Sequence, residues 1–343
     1  MTDAATPRPT PTPATDGPAV RALGLHHVTA ISGEPQRVLD FYVGVLGMRL
    51  VKRTVNFDDP GAYHFYFGDE TGTPGSLFTV FPWPTGRKGR LGAGQVGETA
   101  LAIPAASLGW WLDRLSAHHV PHELPQRRFG ADGETVVTFT DPDGMRLALA
   151  TDARAADLPG WSAPGPEAVP AEHAIRGVYG VTLWVEDAEG QAALLTGSMG
   201  WRRTATEGTT TRFVADDATL GRVVDVRDVR GFWGAADGVG SVHHVAFRVG
   251  DAAAELAMRA AVAAAGLQPT TVRDRQYFES VYFRAPGGVL FELATDGPGF
   301  LLDEPRETLG ESLKLPPQYE QHRAAIEANL PVLRALETEE VRA

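Results

Sequence analysis

The sequence predicts an α+β protein built from four similar units, and three observations carry that reading. Its 343 residues suffice for two domains with ample cores, at roughly 100 to 200 residues each. Hydrophobic residues make up 43% of the chain and charged residues 22%, the balance of a globular protein. Most telling, the chain beyond residue 22 falls into four stretches that each open with a short apolar strand, continue into an amphipathic helix and close in strands broken by Gly turns.

Residues 1–22 carry Pro7, Pro9, Pro11, Pro13 and Pro18 among Thr and Ala, with neither a basic nor an apolar segment, and are expected to form a disordered leader rather than a signal peptide. The first unit opens with a strand at His27 to Ile31 and keeps Val38, Phe41, Tyr42 and Val45 at helical spacing before Gly47. The second opens near Gly97 and sets Leu108, Trp111, Leu112 and Leu115 on one helical face. It ends in strands over 135–140 and 146–150 around the turn Asp141-Pro142-Asp143-Gly144. The third opens with a strand over 177–185 and has a helix around Ala192 to Leu195. The fourth opens over 241–249, continues in an Ala-rich helix over 251–265, and closes in strands at 280–284 and from Leu290. Leu147-Ala148-Leu149-Ala150-Thr151-Asp152 overlays Phe291-Glu292-Leu293-Ala294-Thr295-Asp296 without a gap, which marks a duplication. These boundaries give an N-terminal domain over 23–155, a Pro- and Gly-rich linker over 156–175 and a C-terminal domain over 176–300. A helical tail over 301–343, with Tyr319, Ala325, Ile326 and Leu330, is expected to pack on the body or on a partner.

Charge and cysteine content exclude several functions. With 31 Lys plus Arg against 43 Asp plus Glu the formal charge is −12, and the chain offers no basic cluster for nucleic-acid phosphates. No apolar run approaches the roughly 20 residues of a membrane span. The absence of cysteine removes disulfides, thiolate metal sites and Cys nucleophiles, leaving any metal to His, Asp or Glu. A cytoplasmic location fits these features, and a homo-oligomer is compatible with them.

Aligned by their opening strands, the units carry His27, Glu98, Gly180 and His244 at one equivalent position. In the closing strand Glu292 of the fourth unit matches Ala148 of the second, and nothing comparable stands out in the first or third. Strand parity then sorts the side chains, because alternate residues point to opposite faces. Val245, Phe247 and Val249 form the helix-covered parity of their strand, as Phe291 and Leu293 do of theirs and Val28 and Ala30 of the first. His27 with Thr29, His244 and Glu292 therefore share the opposite, concave face. Two histidines and one carboxylate with open positions form the facial triad that suits non-haem Fe(II) oxygenases, and Zn or Mn fits the same ligands. His118 and His119 end a helix before Pro121 and are read as caps. His64, His122, His173 and His322 are assigned no function.

Leu25-His26-His27-Val28-Thr29, Phe41-Tyr42 with Leu46-Gly47, Lys52-Arg53-Thr54-Val55-Asn56-Phe57-Asp58-Asp59-Pro60 and Gly72-Thr73-Pro74-Gly75 resemble the glyoxalase/bleomycin-resistance/extradiol dioxygenase (vicinal oxygen chelate) superfamily. Within it the chain is most similar to the hydroquinone-cleaving, PcpA-like or MhqO-like dioxygenases, from about Leu23 to the tail. The resemblance implies four βαβββ modules paired into two open barrels, a metal held in one cleft, and O₂ with a small aromatic diol as substrates. Catechol-cleaving relatives take their ligands from the C-terminal half. Gly180 departs from that pattern, so the site must draw on modules one and four, which are expected to lie against each other. Carried over by motif, His27, His244 and Glu292 would be ligands of Fe(II), and His26, Thr29, His243, Arg275 and Tyr282 would surround the substrate. His26 and His243 would serve as acid or base, Arg275 and Tyr282 would hold anionic oxygen, and Thr29 would bond a hydroxyl. Simple parity turns His26 and His243 away from the metal, although both sit at strand starts, where a twist or bulge can redirect a side chain. The resemblance also implies rival activities: a metal-dependent isomerase or thiol transferase of the glyoxalase type, and a metal-free ligand-binding protein of the bleomycin-resistance type.

Overall fold

The computed structural model describes residues 21–334 apart from Asp132 and Pro166, so the expected leader up to residue 20 lies outside the described residues. All four units adopt the βαβββ order. Unit one contains β1 (Leu25–Ser32), α1 (Pro35–Leu39), β2 (Arg49–Val55), β3 (Tyr63–Gly68) and β4 (Leu77–Pro82). Unit two contains β5 (Gln95–Ile103), α2 (Leu108–Ala117), β6 (Gln126–Arg127), β7 (Thr135–Thr140) and β8 (Arg146–Thr151). Unit three contains β9 (Gly177–Val185), α3 (Ala188–Ala193), β10 (Arg202–Glu207), β11 (Thr210–Val214) and β12 (Val223–Asp228). Unit four contains β13 (Ser241–Gly250), α4 (Ala252–Ala264), β14 (Arg273–Asp274), β15 (Glu279–Arg284) and β16 (Leu290–Thr295), and α5 (Arg323–Asn329) follows in the tail.

The units pair crosswise into two eight-stranded sheets. One sheet has the order β14-β15-β16-β13-β1-β4-β3-β2 and joins unit four to unit one. The other has the order β10-β11-β12-β9-β5-β8-β7-β6 and joins unit three to unit two. The seams are the antiparallel pairs β1 with β13 and β5 with β9. Within each unit the first strand runs parallel to the fourth, as the intervening helix requires. Each half of the chain thus gives one unit to each sheet, and the linear halves 23–155 and 176–300 do not coincide with the sheets. Every residue of β1 is buried, because both faces of this central strand are covered.

Helix-side residues such as Val28, Phe247, Leu293 and Phe291 join Trp111, Met258 and Val262 in one continuous core. The linker is tied to α2: Trp111 Nε1 donates to the His173 carbonyl at 2.8 Å, and Val169 is buried. The described part of the tail, up to residue 334, packs on the body. Its short helical turn over Pro317–His322 leads into α5, Tyr319 Oη donates to the Phe57 carbonyl at 2.9 Å, and the buried ammonium of Lys52 pairs with Asp303 and Glu304. Among the described residues no helix is long and apolar enough to cross a membrane.

Candidate metal centre and active-site cavity

The seam between β1 and β13 explains how the paired histidines are presented. Its register shifts once between Leu25 and His27 and again between Thr29 and Ala30, opposite His244 and Val242, so His26 and His243 are each the extra residue of a bulge. Beyond the bulges the register forms two rows across the sheet. One runs Tyr282, Glu292, Ala246, His27 over β15, β16, β13 and β1. The other runs Tyr66, Thr79, Thr29, His244 over β3, β4, β1 and β13. The rows are pseudo-twofold mates, with Thr79 standing where its mate has Glu292.

His27, His244 and Glu292 converge where the rows meet. His27 Nε2 lies 3.3 Å from His244 Nε2 and 3.3 Å from Glu292 Oε2, and His244 Nε2 lies 2.8 Å from that oxygen. All three residues are buried. Ligands roughly 2.0 to 2.2 Å from one ion and near a right angle apart are separated by about 3 Å, so the triangle fits a facially bound cation. The donor set agrees: Glu292 Oε2 is sealed from solvent without a well-formed hydrogen bond, while Oε1 accepts from Ser280 Oγ. Burial alone would raise Glu292, but the two imidazoles outweigh it and hold the carboxyl well below the usual range.

Each candidate ligand histidine is backed by its neighbour. His27 Nδ1 is 2.9 Å from His26 Nδ1, and His244 Nδ1 is 2.7 Å from His243 Nδ1. An imidazole ligand whose second nitrogen is hydrogen-bonded has its tautomer and ring plane fixed. Burial, reinforced by the adjoining histidine, pushes both His26 and His243 down to about 3, so both are neutral near pH 7.

A cavity of about 290 Å³ opens above the triangle. Of the surrounding residues expected from the sequence, His243, Arg275 and Tyr282 line it, and Arg275 Nε donates to Tyr282 Oη at 3.2 Å. His26 and Thr29 do not line it: His26 sits behind His27 against Phe278, and Thr29 Oγ1 lies 2.8 Å from Thr79 Oγ1. Arg275 is paired across the cavity mouth with Asp58 of unit one at 3.1 Å. Sequence reasoning missed three groups. His64, given no function, lines the cavity; Asp58 holds Arg275; Ser280 holds Glu292. Parity could have found two of them, since His64 and Tyr66 alternate with the helix-side Phe65 and Phe67, and Ser280 shares a face with Tyr282.

The other sheet carries the decayed counterpart. Its matching row runs Arg212, Asp225, Thr182, Glu98, so unit three does hold a carboxylate, Asp225, at the position of Glu292. The sequence comparison, in which nothing comparable stood out in unit three, did not single it out. Guanidinium groups neutralise both acids: Arg128 binds Glu98 through both nitrogens, and Arg212 spans Asp225 and Glu134 with contacts of 2.6 to 2.8 Å. Gly180 takes the place of His244, and a Cβ there would meet the Val223 carbonyl oxygen at 2.3 Å.

Comparison with known proteins agrees with this architecture. The profile described as Glyoxalase/Bleomycin resistance protein/Dioxygenase superfamily matches residues 24–149. A Bacillus subtilis protein named as a ring-cleaving dioxygenase, MhqO, is 44% identical over 315 residues, covering 91% of this chain and 97% of its own. A Sphingobium indicum protein named chlorohydroquinone/hydroquinone 1,2-dioxygenase is 36% identical over 310 residues, covering 88% and 93%. The crystal structure of a Bacillus subtilis protein described as a dioxygenase superposes with a TM-score of 0.86 at 42% identity, over 93% of this chain and all (100%) of that one. Glyoxalase I from Zea mays shares the fold at 16% identity, with a TM-score of 0.57 over 80% of this chain and 92% of its own. The chain therefore belongs to the glyoxalase/bleomycin resistance protein/dioxygenase superfamily, among its ring-cleaving dioxygenases.

Proposed function

We propose that this protein is an Fe(II)-dependent dioxygenase that opens a substituted hydroquinone, with His27, His244 and Glu292 as the metal ligands. The observation that carries the reading is the buried triangle of three donor atoms at the foot of a cavity whose wall supplies a cation and a phenol. Thr79 at the position of the mate of Glu292 also favours it, because a glyoxalase-type site often carries a second Glu. Mn or Zn fits the same ligands, and cellular supply then decides the occupant.

When bound, ferrous iron supplies the redox chemistry that delivers both atoms of O₂ to the ring. The chain's own residues bind, orient and move protons. His243 lines the cavity and is the imidazole placed to meet the phenolic hydroxyl of the incoming diol. Arg275 polarises Tyr282, and the pair offers fixed donors to the oxygen that becomes anionic. Phe81, Trp83 and Phe278 enclose the ring. His26 acts through His27 by fixing the ligand ring, and Thr29 acts through Thr79.

Anaerobic reconstitution with Fe(II), followed by oxygen uptake with methylhydroquinone, chlorohydroquinone and catechol, tests the reading. One O₂ consumed per hydroquinone, with catechol the slower substrate, is the expected result. Faster turnover of catechol, or no uptake with either hydroquinone, would refute the substrate assignment.

A further inference from the structure

The two walls of the cavity differ in how their polar groups are engaged. On the unit-four wall Arg275 already donates to both Asp58 and Tyr282. On the unit-one wall, His64 and Tyr66 stand two residues apart on β3 and face the same cavity. His64 Nε2 is anchored 2.9 Å from Thr79 Oγ1, which is in turn 2.8 Å from Thr29 Oγ1, so a buried chain of hydroxyls fixes the ring from behind. Its Nδ1 and the Tyr66 hydroxyl have no protein partner among the described residues, and neither is among the atoms sealed from the cavity. The His64 ring packs between Tyr66 and Phe81 at centroid distances of 4.0 and 4.3 Å, which leaves it little freedom to turn away.

A para-diol that places one oxygen among the metal ligands must direct the other away from them. Leaving that second hydroxyl unpaired against the buried wall of the cavity would cost more than a hydrogen bond returns. Taking the hydroquinone reading as its basis, we propose that His64 and Tyr66 are the substrate-binding pair that holds the ring hydroxyl remote from the metal ligands. Thr79 and Thr29 are positioning residues that hold the His64 ring in place. Since a phenolic hydroxyl both donates and accepts, it bonds Nδ1 in either tautomer. Recognition of hydroquinones over phenols with a single hydroxyl then resides in unit one, and proton handling in unit four.

The test is binding, separate from turnover. Titration calorimetry of the Zn(II)-loaded full chain with hydroquinone and with phenol measures how much affinity the second hydroxyl adds. The wild type is expected to bind hydroquinone more tightly. Tyr66→Phe and His64→Phe should each weaken hydroquinone roughly 3- to 10-fold, the worth of one neutral hydrogen bond, with phenol affinity unchanged. Unchanged phenol binding reports an intact site, and Tyr66→Phe removes a single oxygen should His64→Phe fail to fold. Equal wild-type affinity for the two probes, or a hydroquinone preference that survives both substitutions, overturns the proposal. Wild-type oxygen uptake tests the underlying reading independently.

Discussion

Arg275 shows how much one residue can couple. Its guanidinium donates through Nε to Tyr282 and through Nη2 to Asp58, so the unit-four wall and the loop between β2 and β3 are fixed by the same side chain. Because both bonds are to partners rather than to candidate metal ligands, Arg275 and Tyr282 can be altered without disturbing His27, His244 or Glu292. Arg275→Ala and Tyr282→Phe should each lower kcat on a hydroquinone on the order of a hundredfold, the scale of losing one fixed donor to a developing anion. Metal analysis of the same samples should show unchanged content. Full activity in both variants would remove these residues from the chemistry, and lost metal would make their role structural. At this scale the three converging side chains were legible because strand parity and unit alignment are both properties of sequence. Asp58 was not, because its pairing with Arg275 joins residues 217 positions apart whose meeting depends on the cross-sheet seam.

Among the elements, strands were easier to read than helices. A period of two survives in β9, β13 and β16, whose helix-side residues are uniformly apolar. The bulges that carry His26 and His243 leave no such trace, since an inserted residue merely breaks the alternation. In unit one the run from Val38 to Val45 reads as one helix, yet α1 stops at Leu39 and a wider π-type turn follows over Asp40–Val45. Arg114 of α2 donates to the Gly44 and Val45 carbonyls at 2.7 and 2.6 Å, satisfying acceptors at the end of that turn. The buried stripe of α4 holds a surprise, for it is Glu255, Met258 and Val262. Neither carboxylate oxygen of Glu255 has a hydrogen-bond partner among the described residues. Burial, with Glu279 and Glu292 adding to it, pushes this carboxyl up to about 7. The folded chain therefore keeps a proton that the unfolded chain releases near pH 4.3. Stability from this group is complete below that value and is lost as pH rises through about 7. Glu255→Gln should consequently be about as stable as wild type at pH 4 and more stable at pH 8, on the order of 1–3 kcal/mol. Urea unfolding of both proteins at the two pH values measures this, and a difference independent of pH would contradict it.

The whole molecule is a fourfold repeat in which one of two equivalent clefts carries a candidate ligand set. The crosswise pairing was readable because His27 and Glu292, at opposite ends of the sequence, make a metal site only if units one and four share a sheet. The fate of the second cleft was not readable, because Glu98 and Arg128 lie 30 positions apart and Arg212 and Glu134 lie 78 apart, so these pairs meet only once the strands are assembled. Its two acids, Glu98 and Asp225, stand where the first cleft has His27 and Glu292, but guanidinium groups already occupy their oxygens. A divalent ion entering there would have to displace an arginine from a buried bidentate pair and leave that charge unpaired, at a cost of about 3–5 kcal/mol. It would also find glycine where the first cleft supplies His244, and Gly180 has no room for a side chain. Titration of metal-free protein should therefore saturate at one equivalent of Fe(II) or Zn(II) per chain. Glu292→Ala should take tight binding to zero while circular dichroism stays that of the folded protein, because the carboxylate lies on the cleft face and not in the helix-side core. Two equivalents in the wild type would mean that the arginine pairs yield to metal, whereas one equivalent retained by Glu292→Ala would move the metal away from the seam of units one and four.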